Sequence, residues 1–232
     1  MNLAKKNSDL KKEKSNVSKE LFDELLNPSL DLSIDYSEIY IDDIIENETL
    51  KEIPIIKSVV GVIKGGISIN NFWFAKKLLT FIRDFNNGTA NLEKVELFKR
   101  KLSESPKFGK KIAERLMIFI DKNIEITQTK IITNLFTAFV NQDITYEEFN
   151  GILITLDKLN PKAFDWFFEL EKTNFDINEK NYNGNKDRDW EMESFITNSG
   201  FGQETSSWFH GFKMNNDGLK LFEFGIKPLK NN

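Results

Sequence analysis

The chain has 232 residues, a formal net charge of −4 and no cysteine. One or two domains are expected at that length, and the missing thiols exclude disulfides, thiolate catalysis and zinc–thiolate centres. The acidic balance argues against non-specific nucleic-acid binding, which needs a basic footprint, while a 40% apolar fraction that includes 21 phenylalanines is enough for a core.

Residues 1–20 read as a disordered basic tail with Lys5, Lys6, Lys11, Lys12, Lys14 and Lys19. It contains no apolar run of the kind a signal peptide needs. Residues 21–52 form an acidic helical segment, holding ten acids and one base, Lys51. Within it, Ser18 caps a short helix with Leu21, Phe22, Leu25 and Leu26 on one face, stopped at Asn27-Pro28. A second helix is predicted from Tyr36 to Asn47, with Tyr36, Ile39, Tyr40, Ile44 and Ile45 inward and Asp42, Asp43 and Glu46 outward.

The charge then reverses. Ile53 to Arg83 holds five bases (Lys57, Lys64, Lys76, Lys77 and Arg83) and no acid. Pro54 suits the first turn of a helix. The 3.6-residue period puts Ile55, Ile56, Val59, Val60, Val62, Ile63 and Ile67 on one side, with Lys57, Gly61, Lys64 and Gly65 on the other. Gly61 and Gly65 form a small-xxx-small pair that permits close backbone approach. A second helix follows Asn70-Asn71 and closes at Asn86-Asn87-Gly88, with Phe74, Leu78, Phe81, Ile82 and Phe85 at helical spacing and Trp73 widening the face. The expected working surface of this hairpin is Lys57, Gly61, Lys64, Gly65, Trp73, Lys76, Lys77 and Arg83. Asp42, Asp43 and Glu46 are the expected acidic cover for its lysines. A spanning helix needs about 20 apolar residues, and no run here qualifies.

Residues 53–174 are read as one antiparallel helical bundle, with short connections between helices. Asn91 or Leu92 to Leu102 carries Leu92, Val95, Phe98 and Leu102. Ser105-Pro106 opens the next helix, and Thr127 to Val140 reads as a core helix. Thr145 and Glu148 form a capping box, and Asn160-Pro161 opens a helix with Phe164, Phe167 and Phe168. The core is expected to hold Phe119, Leu135, Phe136, Phe139, Leu153 and Phe168. After a polar, loop-like 174–189, residues 175–232 read as a small winged-helix-like module: helix Trp190–Ser199, a turn at Gly200, a hairpin or extended segment, and a helix from Asn215 to Gly225. The fold class is therefore mainly α, with a small C-terminal α-plus-hairpin module.

No catalytic constellation emerges. An EF-hand register ending at Glu148 lacks both the oxygen ligands and the glycine, and one around Gly184 ends at Trp190. His210, the only histidine, lies in an apolar context and reads as structural. Val62-Ile63-Lys64-Gly65-Gly66 lacks the Lys-Ser/Thr ending of a phosphate loop. No enzyme activity, cofactor, metal or small-molecule substrate is expected.

The order IPIIKSVVGVIKGGISI, FWFAKKLLTFI, KIAERLMIFIDKNIEITQTKIITNLFTAFVNQDITYEEFNGILITLDKL and GFKMNNDGLKLFEFGIK resembles the helical bacterial proteins grouped around the Abi-alpha label, over about 50–226. An Asn-, Lys-, Ile- and Phe-rich composition also fits an AT-rich bacterial coding sequence. The resemblance implies a role in abortive infection of phage-infected cells. It transfers no functional residue, and the family's tail pattern LTxxGxxLxxxG is followed only in part, at Met214, Asn216, Gly218, Leu221 and Gly225. The expectation is a cytoplasmic, non-enzymatic interaction protein with a protein partner or a second copy. The alternatives are a latent membrane-active effector at the membrane periphery, whose hairpin inserts on triggering, and a winged-helix nucleic-acid regulator.

Overall fold

The computed structural model describes residues 19–60, 69–178, 188–205 and 211–230. The basic tail up to residue 18, Gly61, Lys64 and Gly65 of the hairpin, the loop around Gly184 and His210 lie outside the described residues. The chain forms two compact units, 1–130 and 131–232.

In the first unit, residues 19–26 form α1, with Leu21, Phe22 and Leu25 buried as expected. Buried Glu24 ends it, accepting from Ser29 N at 2.6 Å and Leu30 N at 3.0 Å. Tyr36–Asn47 is not one helix. Residues 27–40 run without regular helix into α2 (Ile41–Glu46) and α3 (Glu48–Glu52). The cause is local hydrogen bonding that competes with the helix. Asp31 accepts from Ser33 N and Oγ at 2.9 and 2.7 Å, and Asp35 accepts from Ser37 N and Oγ at the same distances. Asn47 then caps α3, taking Leu50 N at 3.1 Å.

Pro54 opens α4 (Pro54–Val60), whose Ile55 and Ile56 are fully buried. α5 (Ile69–Asn87) begins at Ile69, just before the expected caps, and buries Phe72, Ala75, Leu78, Leu79, Phe81, Ile82 and Phe85. α6 (Leu92–Glu104) and α7 (Pro106–Lys122) follow, with Asn91 capping α6 and Pro106 at the first position of α7. Leu92 lies at the first position of α6 and is exposed rather than inward. α7 packs against α5, and Phe22 meets Phe98 edge-on at 6.1 Å.

α8 (Ile126–Asn141) carries the chain into the second unit. The capping box of α9 (Tyr146–Leu156) is present, with Thr145 N donating to Glu148 Oε2 at 2.8 Å and Glu148 N to Thr145 Oγ1 at 3.2 Å. Asn160-Pro161 opens a 3-10 turn (Pro161–Ala163), not a continuous helix, before α10 (Trp166–Glu171). Of the expected core, Phe119, Leu135, Phe136, Phe139 and Leu153 are buried, and Phe168 is half-buried with Lys230 Nζ 3.5 Å from its ring centre.

The C-terminal part has helix α11 (Trp190–Ser199), strands β2 (Gly202–Glu204) and β3 (Phe212–Met214), and α12 (Asn216–Lys220). Gly200 turns the chain at φ 103°, a left-handed conformation suited to glycine. A strand absent from the sequence reading, β1 (Asp176–Ile177), pairs antiparallel with β3 and gives the order β1-β3-β2. α12 widens into a π-helical segment, Leu221–Ile226, and ends in a 3-10 turn, Lys227–Lys230. This part shares a compact unit with the helices from Ile131 onward. Phe222 contacts Phe167, Phe168 and Phe175 at 6.4, 5.3 and 5.0 Å, and Asn134 Nδ2 donates to Gly225 O at 2.9 Å.

Candidate interaction surface

The acidic segment lies along the basic helix, and polar side chains of α5 hold it. Asn86 Nδ2 donates to Leu25 O at 3.1 Å, and Asn87 Nδ2 to Leu32 O at 2.8 Å. Arg83 approaches Asp35 at 3.9 Å while pairing with Asp84 at 2.7 Å. Lys76 Nζ donates to Ile39 O at 2.9 Å. From Asn87 through Arg83 to Lys76, the partners in the segment run Leu32, Asp35 and Ile39, while Asn86 reaches back to Leu25 at the end of α1. Residues 27–40 are therefore a strap running antiparallel to α5. Tyr36 anchors it, fully buried, with its hydroxyl donating to Asp31 O at 2.9 Å.

Among the described acids of the strap, Asp35 comes within 4 Å of a base of α5. Asp43, one of the expected acids, acts on Lys76 through its charge and also accepts from Tyr40 N at 2.5 Å, capping α2. Ser37 donating to the Asp35 carboxylate holds it below the usual carboxylate range, and Ser33 does the same for Asp31. Burial pushes the Tyr36 phenol up.

The expected surface residues fall in three places. Lys57 is exposed and pairs with Glu52 at 3.2 Å. Trp73 is 43% exposed, with Lys76 Nζ 5.1 Å from its ring centre. Lys76 and Lys77 are interior, at 8% and 4% exposure, rather than on an open face. Lys77 Nζ donates to Asp121 O and Asn123 O, both at 2.7 Å. It thus serves the last carbonyls of α7, where a cation also meets the negative end of the helix dipole. Burial pushes both ammonium groups below the usual lysine value, opposed at Lys76 by Asp35, Asp43 and Glu38 and at Lys77 by Asp121. The run Lys76-Lys77 reads as a basic surface because nothing local marks the backbone carbonyls that receive it. The strap had a legible signal, the doublet Asp31-Leu32-Ser33 and Asp35-Tyr36-Ser37, whose side chains favour turns over helix.

Among the described residues no helix is long and apolar enough to cross a membrane. Also among them, no group of three His, Cys, Asp or Glu side chains could hold a metal ion. Comparison with protein-family models, curated proteins and solved structures gives no match to this chain.

Proposed function

We propose that this chain is a non-enzymatic bacterial interaction protein whose working element is α5 beneath its acidic strap, acting in abortive infection as the Abi-alpha resemblance implies. The observation that supports this reading is how the strap is held. Residues 25–40 meet α5 through Lys76, Arg83, Asn86 and Asn87, which reach backbone carbonyls and one carboxylate. A partner chain offering carbonyls and carboxylates of its own competes for these contacts without disturbing the apolar face beneath. The test is a strap-loosening set, Asp35→Ala with Asn86→Ala and Asn87→Ala, compared with wild type in affinity capture from phage-infected cells. A specific partner whose recovery rises with the loosened strap supports the reading. Identical recovery from both proteins refutes it.

A second reading, the latent membrane effector, is favoured by the exposed Ile69 and Trp73 at the start of α5 and by Tyr40 at the end of the strap. Aromatic side chains with polar tips suit a membrane interface. Co-sedimentation with anionic vesicles that rises on strap loosening supports this reading. The nucleic-acid reading has less behind it, because α11 carries Glu191 and Glu193 and no lysine or arginine.

A further inference from the structure

A cleft of about 690 Å³ lies among residues 19–27, the end of α6 and the start of α7, where the strap begins. Phe22, Leu26, Leu102 and Pro106 give it apolar walls, and Lys19, Lys99, Lys107 and Lys110 line it with cations against one acid, Asp23. Gly109 keeps it open, since a β-carbon there would stand 3.2 Å from Leu102 Cδ2. Lys99 pairs with Glu96 at 2.8 Å and Lys110 reaches Glu114 at 3.9 Å. Both are surface pairs of the kind that hold weakly. The cleft therefore offers a place for an apolar group flanked by carboxylates.

The same unit presents such a group. Tyr40 is 77% exposed, and Asp42, Asp43, Glu46 and Glu48 after it are all exposed. The cleft and this acidic turn adjoin segments held at separate points of α5. Lys76 Nζ meets Ile39 O near the middle of the helix, and Asn86 Nδ2 meets Leu25 O at its C-terminal end. Ten residues of helix, about 15 Å, separate them. The strap joining them is held along α5, so one copy cannot seat its own turn in its own cleft. The chain's residues 1–18 are mismatched in charge, with five lysines against Asp9 and Glu13.

We propose that the lysine-rimmed cleft of one copy receives the Tyr40–Glu48 turn of a second copy. Tyr40 rests on Phe22, Leu26 and Leu102, while Asp42 and Glu46 face Lys107 and Lys110. The two surfaces differ, so the contact is heterologous. It closes into a symmetric pair or ring, or continues head to tail. This inference rests on the interaction-protein reading and names a second copy as one partner.

The test is sedimentation velocity of the full chain across a concentration series at low and high salt, with circular dichroism to verify folding. Wild type is expected to self-associate, and more weakly at high salt. Lys107→Glu with Lys110→Glu and, separately, Asp42→Lys with Glu46→Lys should each weaken association about tenfold or more, the scale of a charge reversal in an interface. Mixing the two variants should restore association, because each then supplies the surface the other lacks. Tyr40→Ser should weaken association without any change in its salt dependence. A wild type that stays monomeric at low salt overturns the proposal, as does a mixture that fails to restore association. Anionic-vesicle binding that needs Lys107 and Lys110 while the protein stays monomeric would make the cleft a lipid site and also overturn it. Each of these failures leaves the strap experiment to be decided on its own.

Discussion

Replacing Lys77 by methionine keeps most of the buried stem and removes only the ammonium group. In the wild type that group donates to Asp121 O and Asn123 O at 2.7 Å each, with the side chain 4% exposed. Hydrogen bonds to a charged group contribute roughly 1.5–3 kcal/mol each, so two lost bonds amount to about 3–6 kcal/mol gross. Relief from holding a cation out of water returns part of this, leaving a loss of about 2–4 kcal/mol. Lys76→Met removes one bond, to Ile39 O, and about 1 kcal/mol is expected. Urea denaturation followed by circular dichroism reads both values. The pH dependence adds a signed test. Burial lowers the folded-state pKa of Lys77 below 10.5, so between that lowered value and 10.5 the unfolded chain holds more protons. Wild-type stability should then rise with pH relative to Lys77→Met in that window. Tyr36, whose raised pKa acts in the opposite direction, is present in both proteins and cancels. If Lys77→Met is as stable as wild type, or loses less than Lys76→Met, the assignment of Lys77 as the cap of α7 is refuted.

Phe136 is fully buried, with ring centres of Phe139 and Phe149 at 6.1 and 6.0 Å; Phe136→Ala should cost about 3–5 kcal/mol by chemical denaturation. Gly218→Ala sets local against tertiary preference. Alanine favours α12 by about 1 kcal/mol, but its β-carbon would lie 2.6 Å from Phe201 O and 2.5 Å from Met214 Cγ. Net destabilisation of about 1–3 kcal/mol is expected, and a stabilised variant in a thermal melt would contradict the packing. The Glu148 carboxyl is held down to about 2, from an ordinary 4.5, first by the hydrogen bond from Lys220 and then by Thr145 N. The stability it contributes is present above 4.5 and lost as pH falls toward 2. Glu148→Gln should therefore flatten the acid limb of a stability–pH profile, and an unchanged limb would place the acid sensitivity elsewhere.

Helices with full apolar stripes and ordinary caps were legible in the sequence. α7 to α9 appear close to their expected bounds because Pro106, Thr145 and Glu148 act within a single turn. The C-terminal order of a helix, a hairpin or extended segment, and a helix was legible through the turn at Gly200 and the start at Asn215. β1 was not, since a two-residue strand has no periodicity. It is also entered through Asn174 and Phe175 at φ 52° and 58°, a left-handed pair that a phenylalanine does not announce. The candidate site was half legible. Opposite charges on 21–52 and 53–83 did mark two segments that meet, but the partners could not be assigned. Lys76 and Lys77 chose carbonyl oxygens, which every residue carries, and Asp35 was selected by the path of the strap. The tail glycines acquire a physical reason only in three dimensions. A β-carbon on Gly225 would stand 3.0 Å from Ile131 Cγ2 and 3.3 Å from Leu135 Cγ.

The strap also has a place in time. Residues 27–40 precede α5 (Ile69–Asn87) in the chain, so the ribosome finishes the cover before it begins the helix. At about 5–20 residues per second, the interval between them is a few seconds. A nascent α5 can thus close against a segment already synthesised on its own chain, ahead of any encounter with a neighbour. Moving the strap to the far end of the polypeptide would keep every contact of the folded state while reversing that order. The helix would then spend its first moments bare on a crowded ribosome.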